Sequence, residues 1–239
     1  MTALIGNPLL LTSAPAASDD AYQIEKSLRF NDSEGAFLKR TFNAGNTRTW
    51  TWAAWVKRST LGVQHNLFSA YTDDNNQGYL VLESDDAIAF DQRISGTWSN
   101  STKTARLFRD TSAWFHITFV FDSTNASEEE RIRLFINGER VTSWEDAPNC
   151  TQYLEGKYNS AIEHQIGKGQ AGSNYMDGYL ADVQFIDGLA LSAAAFGEFD
   201  STGVWNPAEF KLLVRNNGST WSGMVTGTED SGWTKAQVF

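Results

Sequence analysis

Residues able to do covalent chemistry are few and scattered. Cys150 is the single cysteine. It lies in the turn-like stretch Pro148-Asn149-Cys150-Thr151-Gln152 with no histidine beside it, and a thiol without a neighbouring base stays protonated and inert. One cysteine allows no intrachain disulfide and no cysteine-based metal site. The three histidines, His65, His116 and His164, show no metal-ligand spacing. His116 falls inside an apolar run beside Trp114 and reads as a packed, hydrogen-bonded side chain. Glycoside hydrolysis needs two carboxylates held about 5–10 Å apart. The apolar run GYLADVQFI (178–186) carries one acid, Asp182. The expectation is therefore a protein that is not an enzyme.

Two other constellations suit binding. Asp73, Asp74, Asn75 and Asn76 form an oxygen-rich loop, the donor type that a hard cation such as calcium takes. The same residues are ordinary turn formers. Calcium is the one cofactor this loop suggests, and no other is expected. Asp85-Asp86 reads as a turn, and Glu128-Glu129-Glu130 as a solvated charge run. Saccharides need aromatic faces for their C–H surfaces and polar groups for their hydroxyls. Trp55, Trp98 and Trp114, with His116 and Asp182, are the candidates for that role. Nine tryptophans also suit a packed core or a subunit interface.

The elements that must position these residues are strands. The chain has 239 residues, 41% hydrophobic, 13% aromatic by composition and only 20% charged. Aromatic residues favour strands, and the balance is that of a globular domain rather than a disordered chain or coiled coil. From Ser27 onward, short apolar runs are broken by Gly, Asn, Asp and Ser, the spacing of a sandwich. In TWTWAAWVK (49–57), Trp50, Trp52, Ala54 and Val56 share one face and Trp55 points the other way. In AWFHITFVF (113–121), Phe115, Ile117, Phe119 and Phe121 share one face, with Trp114, His116, Thr118 and Val120 opposite. Asn137-Gly138 between RIRLFI and RV signals a tight hairpin, because a type I′ turn needs positive φ at both central residues. One short helix is expected from Ser192 as N-cap through Ala193–Phe196. The fold class is all-β: a two-sheet antiparallel jelly-roll sandwich.

Charge excludes one class of partner. Nineteen basic residues stand against 29 acidic ones, a net charge of −10. With no Lys/Arg cluster, such a surface repels a phosphate backbone, so nucleic acid is not expected as a partner. No run approaches the ~20 apolar residues of a membrane span. Residues 1–24 divide off as an extended N-terminal arm, 25–200 as the sandwich, and 201–239 as a C-terminal extension packed on it. The arm has an Ala-x-Ala-like end, yet lacks a basic leader region and is interrupted by Pro8. It is expected to dock on another chain through Leu4, Ile5, Leu9, Leu10 and Leu11.

Three stretches carry a family resemblance. TWTWAAWVKR, the pair AWFHITFVFD and IRLFINGERV, and QIGKG with MDGYLADVQFIDGLALS stand in order over residues 25–200. They resemble the concanavalin A-like lectin/glucanase superfamily in its laminin-G-like and pentraxin-like branch. The resemblance implies a jelly roll, a saccharide site on the concave sheet face or rim loops, and calcium at the rim. Hydrolytic members carry Glu-x-Asp-x-x-Glu on one strand. Here the nearest match is Glu198-Phe199-Asp200, where position 203 is Gly and the stretch follows the expected helix rather than lying in a strand. A hydrolase is therefore disfavoured. The opening stretch from Ile24 to Arg58 is further similar to jelly-roll proteins of tailed phages of marine bacteria. That implies a structural role on the virion surface as head decoration, head fibre or tail fibre component. It also implies other virion proteins as partners through the arm, homo-oligomers, and contact with a host surface glycan. Head decoration or a head fibre is favoured, because nothing reads as a tail-fibre shaft. The rival reading is a free or cell-surface carbohydrate-binding module.

Overall fold

The computed structural model describes residues 22–169, 174–208, 212–216, 220–225 and 236–238. In chain order the strands of the first half are β1 (Leu28–Phe30), β2 (Leu38–Thr41), β3 (Thr49–Arg58), β4 (His65–Asp73), β5 (Asn76–Leu82), β6 (Ala87–Ile94), β7 (Thr97–Leu107) and β8 (Phe115–Asp122). They are followed by β9 (Ile132–Ile136), β10 (Glu139–Arg140), β11 (Trp144–Asp146), β12 (Glu163–Ile166), β13 (Gly178–Asp187), β14 (Gly197–Phe199), β15 (Trp205–Pro207), β16 (Leu212–Asn216), β17 (Thr220–Val225) and β18 (Ala236–Val238). The helical elements described are three single 3-10 turns.

Two antiparallel sheets make the sandwich. The first runs β1-β13-β3-β8-β9-β10, with β18 also on β13; the second runs β11-β7-β6-β5-β4-β12-β2. Alternation decides which face of each strand enters the core. Trp50, Trp52, Ala54 and Val56 of β3 and Phe115, Ile117, Phe119 and Phe121 of β8 are buried between the sheets, together with Leu134 and Ile136 of β9. The Trp50 ring stacks on Phe119, Phe121 and Phe185 at 5.5–5.6 Å. It also meets Tyr158 at 4.9 Å and, across the sandwich, Phe90 at 6.0 Å. The jelly-roll sandwich expected from the sequence is the fold observed. Asn137 and Gly138 hold φ of 49° and 80°, as the hairpin signal requires.

The end of the chain departs from expectation in two places. The helix from Ser192 is a single 3-10 turn over Ala193–Ala195, and the Ser192 side chain makes no cap bond. Phe196 leaves the turn to pack with Ala53 and Ile186 on the outer face of the first sheet, so burial of that ring stops the helix. The second departure is at Glu198-Phe199-Asp200. Gly197–Phe199 forms β14, paired with β15 in a short hairpin, so Glu198 and Phe199 do lie in a strand. Of the expected arm, only Tyr22–Ile24 fall among the described residues; Leu4, Ile5, Leu9, Leu10 and Leu11 lie outside them.

One ion pair ties the strand ends together. Arg58, fully buried at the end of β3, donates to Asp86 Oδ1 and to the Phe108 carbonyl, both at 2.9 Å. Asp86 also accepts from the Gly62 N–H and from Arg109. Burial lowers the Arg58 guanidinium pKa against the opposing Asp86 bond. For Asp86 burial acts upward, but the bonds from Arg109, Gly62 and Arg58 together hold its carboxyl below the ordinary value. Removing one partner of such a pair leaves the other charged and buried. Asp86→Ala is therefore expected to destabilise the fold by about 3–5 kcal/mol in urea unfolding; a loss under about 1 kcal/mol would show that the pair carries little of the strand-end packing.

Candidate functional site

The outer face of the second sheet is built from three in-register rows. One runs Lys39–Gln165–Ser69–Tyr79–Asp91–Ser101 across β2, β12, β4, β5, β6 and β7. Beside it lie Glu163–Tyr71–Gln77–Arg93–Trp98 on one side and Asn66–Val81–Ala89–Lys103 on the other. Ser69, Val81 and Ala89 are buried although they point away from the core, so the floor of this face is recessed.

Three side-chain amides give this floor its chemistry. Asn66, Gln77 and Gln165 are only 2%, 3% and 8% exposed. Each spends its NH2 group on a fixed acceptor: the Asn174 carbonyl, the Asp74 carbonyl and Glu163 Oε1 respectively. Each leaves its carbonyl oxygen buried with no donor. A buried unpaired acceptor costs about 1–3 kcal/mol, and none of these three oxygens presents surface to solvent. Between them stands Asp91, whose carboxyl burial pushes up to about 6, against a bond from Ser101 that acts downward. Trp98, 51% exposed, meets Tyr79 edge-on at 6.0 Å, and Arg93 lies 5.7 Å from its ring centre. The face thus combines an aromatic rim with a recessed polar floor. The sequence named Trp98 as a saccharide candidate by residue type alone; nothing in it separated Asn66, Gln77, Gln165 and Asp91 from ordinary polar strand residues.

The other expected saccharide-binding residues gather on the opposite sheet. Trp55 pairs with His116 across β3 and β8 and with Ala181 of β13, all on the outer face. Trp114 sits just before β8 beside Tyr179, at 6.3 Å. Asp182 occupies a bulge in β13 with φ of 48°, and burial raises its carboxyl pKa against hydrogen bonds to Gln184 and Tyr22. The structure therefore brings Trp55, Trp114, His116 and Asp182 to one face and puts Trp98 on the other. Asp200 is held by Thr202, the Thr202 and Val204 N–H groups and Asn206, which bring its carboxyl down to about 2. A carboxylate so held does not serve as a general acid near neutral pH.

The loop proposed for a cation is closed on itself. Asp73 accepts from the Asn75 N–H and the Asn76 amide, Asp74 from the Tyr71 hydroxyl. Among the described residues, no group of three or more His, Cys, Asp or Glu side chains is placed to hold a metal ion. Burial raises the Cys150 thiol pKa. His116 is packed among Trp55, Phe196 and Trp205, but its Nδ1 is buried without the hydrogen-bond partner expected of it, whereas His65 and His164 are tied into the backbone. His65 Nδ1 accepts the Asp177 N–H at 3.0 Å. His164 Nε2 accepts the Asn159 N–H at 3.0 Å, which leaves its Nδ1 to donate to the Ile162 carbonyl.

Burial lowers His65 and His164 to about 4 and His116 to about 3. An unfolded histidine takes up a proton below pH ~6.5, while these stay neutral in the fold. Their contribution is thus complete above pH 6.5 and is lost as pH falls toward 4, by about 3 kcal/mol for each. Asp91 acts in the opposite sense below pH 6 and offsets part of this. In NMR titration the three imidazoles are expected to show no inflection between pH 5 and 8, while urea stability declines below pH 6.5. An imidazole titrating near 6.5 would remove it from this structural set.

A sequence model described as the concanavalin A-like lectin/glucanases superfamily matches residues 31–195. No curated protein sequence matches the chain. Among solved structures, tailspike protein 2 of bacteriophage CBA120 is similar at 16% identity and a TM-score of 0.51, over 71% of this chain and 26% of the tailspike. The native heptameric SAP-like pentraxin of Limulus polyphemus is similar at 17% identity and 0.49, over 70% and 77% of the two chains. The carbohydrate-binding module CBM40 of the Ruminococcus gnavus IT-sialidase follows at 12% and 0.48, over 71% and 95%.

Proposed function

Because this chain belongs to the concanavalin A-like lectin/glucanases superfamily, we propose that it is a non-catalytic structural protein of a phage particle surface that binds a host glycan. The glycan sits on the outer face of the second sheet. The observation that carries this reading is the exposed Trp98 ring, edge-on to Tyr79 and beside Arg93, at the rim of a recessed polar face. Tyr79 and Trp98 offer ring faces to the sugar's C–H surface, and the neighbouring Asp91 and Arg93 meet its hydroxyls. A recessed polar floor with fixed NH2 groups is already organised, so binding need not order it.

The particle setting is supported by the similarity of residues 24–58 to jelly-roll proteins of tailed phages, and by the fold shared with a phage tailspike. No catalytic step is assigned, since Asp182 is a lone strand acid and Asp200 is locked in its turn.

Two measurements test this reading. On an array of host surface oligosaccharides the protein is expected to bind a defined subset. Trp98→Ala and Asp91→Ala should each weaken that binding about tenfold or more without changing the fold; absence of any bound glycan would defeat the assignment. For the particle role, the chain should be found by mass spectrometry in purified virions. Deleting residues 1–20 should leave a folded sandwich that no longer joins them. If that deletion unfolds the domain, docking through Leu4, Ile5, Leu9, Leu10 and Leu11 is wrong.

A further inference from the structure

The N-terminal side of the chain meets the outer face of the first sheet at one place. Tyr22, the first described residue, is hydrogen-bonded to Asp182, and Asp182 stands in the β13 bulge next to Ala181. Ala181 and Trp55 form the floor of a depression of about 1160 Å³, with Trp114 at one side. Its walls are residues 22–27 and the stretch 198–208. The chain therefore runs into the wall of this depression, with residues 1–21 preceding the entry point.

The second wall is fixed. The Trp205 ring is wedged between Gly138 and Gly197, which leaves no room for a Cβ at either, and it meets Phe199 edge-on at 4.9 Å. The wedge holds the β14–β15 hairpin against the β9–β10 turn, so the depression does not close by collapse of that wall. Around it Tyr22, Trp114 and Val204 remain 38%, 36% and 55% exposed. Three large apolar side chains left in water round one depression mark a surface that something covers.

Size, charge and tethering select what covers it. Pockets for small molecules run to about 300–1,000 Å³, and this one is larger, which suits a length of chain. The lining carboxylates are Glu25, Glu198 and Asp200, against one lysine, Lys26. An acidic partner would be repelled there. Residues 1–18 carry no ionisable side chain, and Leu4, Ile5, Leu9, Leu10 and Leu11 supply apolar groups. The chain between Leu11 and Tyr22 can reach up to about 35 Å when extended, enough to turn back over the depression. A segment tethered at the site has an effective concentration on the order of millimolar, which a second copy does not match at ordinary protein concentrations.

We propose that the depression is the seat of this chain's own N-terminal segment, with Leu9, Leu10 and Leu11 packed over Trp55, Trp114 and Val204. The free chain thus stores its docking leucines on its own sandwich. On the particle reading, the same leucines bind another virion protein, which has to draw them out of the depression first; the storage itself does not rest on that reading.

The test uses the full chain carrying a nitroxide at Ser13→Cys. Cys150 is buried and burial raises its thiol pKa, so the label goes to the new cysteine. In dilute 15N-labelled protein, the Trp114 indole and Val204 amide signals should be strongly broadened relative to the reduced label, with Trp98 on the other sheet unaffected. Leu9→Asp, Leu10→Asp and Leu11→Asp together should abolish the broadening. A mixture of 15N-labelled chains without nitroxide and unlabelled chains with it should show none. Broadening in the mixture would assign the depression to a second copy, and its absence from the single-chain sample would leave the depression to a foreign partner. Either result overturns the inference, as does broadening that survives the three leucine substitutions. All these readings use the isolated chain, so failure of the storage contact is distinguished from failure of the virion role.

Discussion

The burial of the Trp50–Trp52 face of β3 is the constraint on which the rest depends. Trp50 touches rings from both sheets, Phe119, Phe121 and Phe185 on its own side and Phe90 opposite. A slip of one residue in β3 would expel both indoles and bring Thr51, Ala53 and Trp55 inward. Register is therefore fixed across β13, β3, β8 and β9 at once. With the inner faces committed, the candidate binding residues are displaced to the two outer faces.

Those faces have different fates. On the first sheet, Ala53, Ile186 and Phe196 form a second small apolar cluster under the chain that follows β13, and Trp205 clamps a hairpin beyond it. On the second sheet, the outer rows stay polar and recessed. Amide side chains there are immobilised by their NH2 groups while their carbonyls remain unpaired.

Much of the sandwich was legible because period-two alternation in TWTWAAWVK and AWFHITFVF leaves little freedom. The Asn137-Gly138 hairpin was legible because few dipeptides take positive φ twice. The site was legible only in part. Alternation correctly turned Trp55 away from Trp50 and Trp52, and Trp114 away from Phe115. It could not assign those tryptophans and Trp98 to separate sheets, because sheet membership depends on pairings far apart in sequence. The burial of Gln77 and Gln165 on an outer face was invisible, since it depends on which strands and loops flank them. The helix at Ser192 misled because capping residues and alanines argue locally, while the Phe196 ring is held by Ala53 and Ile186 on strands remote in sequence.

The most direct measurement is to follow the signals of Trp98, Tyr79, Asp91 and Arg93 by NMR while a glycan selected on the host array is added. These should shift together and with the same apparent affinity. Binding that leaves all of them unmoved, or that moves only signals on the first sheet, would contradict a glycan site on the second-sheet face.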